Sequence, residues 1–525
     1  MPKRSISLLA TLFTSISAII GSGWLFSAFY TAEYAGPASL LSWVIGGIAI
    51  IIVAFIFAEL CSMIPVSGSS VRIPQFTHGN VVSFLFAWMI WLSYLALMAI
   101  EVQATVQYAN YYFPVLIVGD AGHLSSIGYV VATSLMLLVT IINVYSLRWL
   151  IRCNSFLTIL KLLIPVIIAG VILAKFFRPE DVLHPAHSRF FSLGFHGVLG
   201  AISTGGILFA FNGFKQAAEM AGEVERPAIT IPIALVGSII FCLLIYLLLQ
   251  LAFNASIQLI NIPHGWANLT LQNNNSPFAA ILAQDELSFL LPLVYIGAII
   301  APFAASLMYA SSAGRSLSAM SENGYMPTFL RHLSAQGNPL YAIIINFFFA
   351  ICLFAPLPGW DSMMSFLTSL LAVTYGIGPV CLLALRYQLP NQPRPLKLPF
   401  GSLWATVAFY ICTLLIYFSG WHIVSKMGIA IGIGLLLLLV QHAFSRNPKK
   451  SALRWRESIW IWPYFIGLSI FSYLGDYGGG IQMIDVETIL WMLAIFCILI
   501  MVLAVIFRLP SHEVKEALAQ IKNSE

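Results

Sequence analysis

The chain has 525 residues, of which 60% are apolar and only 9% charged. Soluble domains run nearer 45–50% apolar and about 25% charged, so the composition excludes a soluble globular enzyme, a disordered chain and a nucleic-acid-binding module. A formal charge of +5 is small for this length, and it matters less than where the charges lie. A helix that crosses a bilayer needs about 20 apolar residues, and about fourteen of them would use roughly 280 residues and leave short loops.

Apolar runs bounded by charges or turn residues predict spans at 6–33, 38–63, 81–113, 125–146, 153–177, 195–217, 230–253, 287–312, 340–357, 363–387, 399–420, 427–445, 458–474 and 485–507. The opening Met-Pro-Lys-Arg-Ser-Ile-Ser-Leu-Leu resembles the start of a leader. It lacks a clear cleavage site and runs straight into Gly21-Ser22-Gly23, so it reads as the first span. An even number of spans puts both termini on one side. With that side cytoplasmic, the inner segments hold nineteen of the 25 lysines and arginines: Lys3, Arg4, Arg72, Arg148, Arg152, Arg226, Arg315, Arg331, Arg386, Arg394, Lys397, Arg446, Lys449, Lys450, Arg454, Arg456, Arg508, Lys515 and Lys522. The outer loops hold four, Lys175, Arg178, Arg189 and Lys426. That imbalance orients the chain in an inner membrane with both termini cytoplasmic.

The outer loops near 178–194 and 254–286 are the long ones. The second carries formal glycosylation sequons at Asn254, Asn268 and Asn274, which occur by chance in a polar loop. The seven cysteines, Cys61, Cys153, Cys242, Cys352, Cys381, Cys412 and Cys497, have no CxxC spacing and read as small buried hydrophobes. No metal or cofactor site is legible. The end of the chain, 509–525, reads as a short charged cytoplasmic helix.

Two spans are interrupted. The first contains Ile19-Ile20-Gly21-Ser22-Gly23-Trp24, and the sixth contains Ser203-Thr204-Gly205-Gly206 followed by Phe209-Ala210-Phe211-Asn212-Gly213-Phe214-Lys215. Each glycine costs a helix about 1 kcal/mol relative to alanine, and freed backbone groups are tolerated in lipid only where they line a cavity or find other partners. A small-residue packing face is the bland alternative. Spans one and six are, however, corresponding positions of two five-span halves. Five is odd, so the second half is inverted relative to the first. That is the layout of a transporter which holds its substrate between unwound segments at the membrane midplane. Amides at a half-helix N-terminus attract a carboxylate, and carbonyls at a half-helix C-terminus attract an ammonium. An α-amino acid carries both.

The motif at 19–26, Phe-Ala-Phe-Asn-Gly-Phe-Lys-Gln-Ala-Ala-Glu-Met-Ala-Gly-Glu-Val-Glu-Arg-Pro at 209–227, and Gly-Arg-Ser-Leu-Ser-Ala-Met-Ser-Glu-Asn-Gly-Tyr-Met-Pro at 314–327 resemble amino acid–polyamine–organocation permeases. The fourteen spans, and Ser-Tyr-Leu-Gly-Asp-Tyr-Gly-Gly-Gly at 472–480, are similar to the bacterial aspartate–proton symporter branch. The resemblance implies an all-α polytopic membrane protein with a leucine-transporter-like inverted five-plus-five repeat. Residues 1–390 would form the core (1–178 the first repeat, 195–390 the second), 391–508 four additional spans and 509–525 the tail. It also implies that amides near Ser22 and Gly23, beside Gly21, take the substrate carboxylate. The carbonyls of Ile19, Phe209 and Asn212 would take its amino group beside Ala210 and Gly213, with Phe209 as an aromatic gate. Where many members carry Glu, this chain has Lys215.

Three charges within spans bear on the site. Lys161 lies nine residues beyond Arg152, roughly 13 Å deep, and such a residue is a functional hypothesis by default. Snorkelling is the alternative. Pro165 deprives the Lys161 carbonyl of its helical partner. By resemblance, a fifth-span lysine beside the first break replaces a sodium ion in proton-coupled members; burial penalises an ammonium, so such a lysine could lose and regain a proton within the transport cycle. Glu101 shares a helical face with Tyr94, Thr105, Tyr108 and Tyr112. It could carry a proton, pair with Lys161, contact a substrate ammonium or be a structural acid. Lys215 could attract an acidic substrate side chain or simply mark the cytoplasmic end of its span. Glu219, Glu223, Glu225 and Arg226 read as a solvated or gate-closing cluster, and Glu59 as an interfacial acid.

The expectation is a secondary active amino acid transporter working by alternating access, with proton symport and acidic substrates as the finer reading. An exchanger of amino acids or polyamines is the nearest competitor. A sodium symporter would have Lys161 competing with its ion. A channel or polytopic enzyme is the alternative from another class.

Overall fold

The structure, a computed structural model, describes residues 6–119, 122–145, 147–178, 190–271, 276–284, 287–334, 337–357, 359–444 and 453–524. Lys3, Arg4, Asn274, Arg189, Arg446, Lys449 and Lys450 lie outside the described residues, as do the side chains of Arg148, Arg152, Cys153 and Lys522.

The first span is two helices, Leu8–Ile19 and Gly23–Ala35. Its N-terminus is capped by Ser7, whose hydroxyl accepts from the Ala10 N–H at 3.4 Å. Ser39–Met63 forms the second span, Ser69–Ala109 the third, Ser126–Tyr145 the fourth and Leu147–Phe176 the fifth. The sixth is Gly194–Ser203, Ile207–Ala210, a 3-10 turn Asn212–Lys215 and Gln216–Glu219, bent by 47°. Pro227–Ser256, Leu291–Glu322, Leu340–Cys352 and Gly359–Gln388 complete the second half. Gly401–Tyr417, Trp421–Phe444, Ile461–Leu474 and Val486–Ile506 are the additional four, followed by the tail helix Ser511–Ser524. These rods follow the fourteen apolar runs in order. Nine stretches of the described residues are long and apolar enough to cross a membrane unaided, and the bent sixth span makes a tenth. The protein is thus an all-α, multi-pass membrane protein.

Four pairs of spans five apart in chain order pack on each other. The first lies against the sixth, the second along the seventh, the third along the eighth and the fourth against the ninth. The half-helix Leu8–Ile19 sits centrally, against the fifth, seventh and eighth spans. The additional spans abut the second, third and tenth.

Three boundaries depart from the apolar pattern. The third span begins at Ser69, not 81, because a polar helical segment precedes a kink at Gly79 (φ 78°, ψ −167°). Two of its polar side chains find tertiary partners: Ser69 Oγ donates to the Ala218 carbonyl at 2.8 Å, and His78 Nε2 lies 3.1 Å from the Ala504 carbonyl. The eighth span runs on to Glu322, well past 312, because the far end of its helix packs inside the protein rather than in lipid. In the outer loop at 254–286, two 3-10 turns and the short helix Pro277–Gln284 appear where no element was legible. Asn254 there belongs to the seventh span, where its Nδ2 donates to Ser39 Oγ at 2.8 Å.

Of the described cysteines, Cys61, Cys242, Cys381, Cys412 and Cys497 are buried, whereas Cys352 is exposed.

Candidate functional site at the two broken helices

At Gly21 and Gly23 a side chain would crowd its neighbours. A Cβ on Gly21 would lie 2.2 Å from Glu101 Oε1, and one on Gly23 would lie 3.1 Å from both Cα and Cβ of Ala210. On the opposite side, a Cβ on Gly213 would stand 2.2 Å from the Ala18 carbonyl carbon and the Ile19 nitrogen. The two breaks therefore meet backbone to backbone in the centre of the protein. Such close approach requires residues without side chains.

The freed backbone groups are taken up by side chains from surrounding spans. On the N-terminal side of the first break, the Ser17 carbonyl accepts from Lys161 Nζ at 2.6 Å, and Ser17 Oγ accepts from the same ammonium at 3.2 Å. The Ala18 carbonyl accepts from the Tyr309 hydroxyl at 2.5 Å. The Ile19 carbonyl accepts from the Tyr246 hydroxyl at 2.9 Å. On the C-terminal side, the Ser22 N–H donates to Glu101 Oε2 at 2.7 Å. The N–H groups of Gly23 and Trp24 open a new helix and have no carbonyl one turn earlier in that helix. Positive and negative side chains thus cap the carbonyl end and the amide end, as the half-helix dipoles demand.

Lys161 and Glu101 are both buried, at 1% exposure each. Among the described residues no ion pair joins them; each is spent on its own side of the break. In the sixth span, Thr31 Oγ1 donates to the Gly205 carbonyl at 3.0 Å and Ser27 Oγ to the Gly206 carbonyl at 3.2 Å. Asn212 Oδ1 accepts from the Tyr375 hydroxyl at 3.1 Å. The Ala210 carbonyl accepts from Tyr246 at 3.1 Å.

Phe209 meets Trp360 edge to face, with ring centroids 5.3 Å apart. Trp360 opens the tenth span, stacks on Phe26 at 4.8 Å and on Tyr30 at 5.5 Å, and donates from Nε1 to Ser22 Oγ at 2.8 Å. It forms a buried aromatic plug over one side of the breaks. Lys215, 4% exposed, lies beyond the sixth-span break with its ammonium over the rings of Phe57 (5.0 Å) and Tyr375 (5.2 Å). Burial on two aromatic faces, rather than at a lipid boundary, places this lysine inside the bundle.

The carboxylates read as one cluster divide. Glu219 is buried and accepts from the Tyr94 hydroxyl at 3.4 Å, whereas Glu225 and Arg226 are exposed. Glu59, expected at the interface, is fully buried. Arg386 grips it through Nη2 at 2.6 Å and Nε at 3.1 Å, Arg394 Nε lies 3.2 Å away, and the Leu398 N–H donates at 2.8 Å. An apolar pattern cannot reveal partners from distant chain segments.

Sequence reasoning missed Tyr246, Tyr309, Tyr375 and Trp360. Tyr246 had a detectable signal: with Gln250 and Asn254 it makes a polar stripe at i, i+4 and i+8 on an otherwise apolar helix. The other three sit among aromatic residues whose bulk is indistinguishable from core.

A family model for amino acid permeases matches residues 6–438. Over 488 residues the chain is 30% identical to the aspartate-proton symporter of Bacillus subtilis (strain 168), covering 92% of each protein. It is also 30% identical over 489 residues to the glutamate/serine transporter AimA of the same organism, covering 92% of this chain and 89% of the relative. A branched-chain amino acid permease, BcaP, is 24% identical over 461 residues. With the paired breaks at the centre of the bundle and these matches along nearly the whole chain, the protein belongs to the amino acid permease family of the amino acid–polyamine–organocation superfamily.

Proposed function

We propose that the protein is a proton-coupled amino acid symporter of the inner membrane, with both termini cytoplasmic, that prefers acidic amino acids and makes or breaks no covalent bond in its substrate. The observation that carries the proton coupling is the Glu101 carboxylate on the Ser22 amide. That amide stands where a substrate carboxylate would bind, beside Gly21 and Gly23. A charged Glu101 competes for it. A protonated Glu101 no longer holds it as a carboxylate does, and the substrate takes its place. Proton and substrate then favour each other's binding by the same factor, as linkage requires. The groups facing Glu101 include Ser22, the Lys161 charge from the fifth span, and the phenols of Tyr246 and Tyr309 from the seventh and eighth. Lys161 holds the other side of the break through Ser17, and it holds that carbonyl most firmly as an ammonium. Proton exchange at these two residues would loosen or tighten the first break as access alternates.

Ile19, Gly21, Ser22, Gly23, Phe209, Ala210, Asn212 and Gly213 are the proposed substrate-binding positions, Lys161 and Glu101 the proton-coupling pair, and Lys215 the selectivity residue. The acidic preference rests on Lys215, a buried cation beyond the sixth-span break, and on the names of two relatives.

The test is uptake into proteoliposomes across a panel of amino acids and polyamines, with and without an imposed pH gradient. Aspartate or glutamate is expected to accumulate only with the gradient, with KM falling as outside pH falls. Glu101→Gln, a permanently neutral mimic, is expected to bind and exchange substrate while losing gradient-driven accumulation. Equal counterflow with and without a gradient in the wild type would identify an exchanger instead.

A further inference from the structure

We propose that Tyr477 is a positioning residue for the transport cycle: from the loop between the thirteenth and fourteenth spans it latches the outer halves of the two broken spans in their closed position. The additional spans then set how readily the outer route opens. This rests on the reading of the chain as an amino acid carrier with both termini cytoplasmic.

The chain leaving the thirteenth span folds back on the end of that helix. The N–H groups of Ile481 and Gln482 donate to the carbonyls of Tyr473 at 2.8 Å and Gly475 at 3.2 Å, and those of Met483 and Ile484 to the Leu474 carbonyl at 2.9 and 3.1 Å. Carbonyls that a helix end leaves without an internal partner thus hold the loop. The loop is also fixed to the turn before the twelfth span. The Trp421 N–H donates to the Gly478 carbonyl at 2.9 Å, and a Cβ on Gly478 would lie 2.4 Å from the Gly420 Cα. A loop tied down at so many backbone points presents its side chain in one place.

That side chain is Tyr477. Its ring meets Phe418 edge to face at 5.1 Å and lies 6.3 Å from the ring of Tyr417, the last residue of the eleventh span. Its hydroxyl reaches the outer half of the sixth span, so close to Gly200 that a Cβ there would stand 2.2 Å from the phenol oxygen. It also faces the side chains of Thr204 and Tyr34, one from each broken span.

Two bodies meet at Tyr477. One is the outer halves of the first and sixth spans, which pack on each other and are joined by Thr31 Oγ1 on the Gly205 carbonyl. The other is the tenth span, which begins beside Trp360, with the eleventh packed along it. The outer route is shut between them, with Trp360 fully buried. For it to widen, Gly200 and Thr204 must move past Tyr477, and Ser203 Oγ must leave the Leu415 carbonyl of the eleventh span, to which it donates at 2.8 Å. Contacts made in the closed arrangement alone shift the balance towards it.

The experiment measures how fast a membrane-impermeant maleimide, applied from outside, labels a cysteine placed at Ala210, with Tyr477 intact and in Tyr477→Ala, read over the same proteins without that cysteine. The contact of one buried hydroxyl corresponds to about a 2- to 10-fold shift in such a balance. Tyr477→Ala is expected to speed labelling by about that factor. Without the added cysteine, the KM for outside L-aspartate should fall in step, because more of the protein stands ready to bind, and the maximal rate should fall as closure slows. A merely structural defect would lower the maximal rate without faster labelling. Labelling at an unchanged rate would overturn the latch, whatever happens to uptake. Should Tyr477→Ala fail to fold, Gly200→Ala decides: its methyl displaces the phenol and should speed labelling to a like degree, and an unchanged rate overturns the proposal. If another amino acid is the substrate, the acidic preference fails alone and the KM comparison runs with that one. If wild type takes up no amino acid, the carrier reading fails, and labelling still reads the latch because it needs no substrate.

Discussion

At Gly23 the argument is steric. A Cβ already meets Ala210 at 3.1 Å, so Gly23→Val inserts branched methyls where the two breaks touch. Overpacking of this kind costs about 1–3 kcal/mol, which a large helical bundle survives. The expected outcome is normal membrane insertion and expression with uptake abolished; normal uptake by Gly23→Val would remove the site from the first break. Lys161 rests on electrostatics. Its ammonium reaches Ser17 twice, at 2.6 and 3.2 Å, at the carbonyl end of a half-helix. Lys161→Ala is expected to abolish or uncouple gradient-driven uptake while the protein remains in the membrane, and added sodium should not replace the proton gradient in the wild type. Concentrative uptake by Lys161→Ala with an unchanged pH profile would make Lys161 a structural lysine and leave Glu101 as the proton carrier.

Helix ends and breaks obey local rules wherever the needed partners are near in the chain. Asp485 caps the fourteenth span by accepting from the Thr488 N–H at 2.9 Å, and Thr488's backbone and hydroxyl together hold its carboxyl below the usual aspartate value. The tenth span's first turn is different, because its role depends on the first span. Trp360 Nε1 reaches Ser22 Oγ at 2.8 Å, and its ring lies between Phe26, Tyr30 and Phe209. Trp360→Ala removes this plug. A cysteine placed at Ala210 should then react faster with a membrane-impermeant maleimide applied from outside. An unchanged rate would mean that the ring does not bar the outer route.

The four additional spans are tied to the core through Glu59. A fully buried carboxylate from the second span is gripped by Arg386, at the end of the tenth, and by Arg394 and the Leu398 amide in the linker that leads onward. Removing one member of a buried ion group leaves uncompensated charge and costs about 3–5 kcal/mol. Glu59→Ala should therefore lower the thermal unfolding temperature in detergent markedly, and a chain ending at Gln388 should show a similar loss. A Glu59→Ala protein as stable as the wild type would mean that the contact contributes little to the junction.

Span order, the two interruptions and the depth of Lys161 and Glu101 were legible in the residues, because hydropathy and helix-breaking are local properties of a chain in a bilayer. Glycine pairs inside an apolar run announce a break without any knowledge of neighbours. Who answers the broken backbone was not legible. Tyr246, Tyr309 and Trp360 come from the seventh, eighth and tenth spans, and their hydroxyl and indole groups meet Ile19, Ala18 and Ser22 only after folding. The same holds for Lys215, which a charge pattern places at a span end but packing buries between Phe57 and Tyr375. It holds also for Glu59, whose arginine partners lie more than 300 residues away. Local chain chemistry determines where a helix can stop; the partners that satisfy its exposed amides and carbonyls are set by three-dimensional proximity, which only the packed bundle supplies.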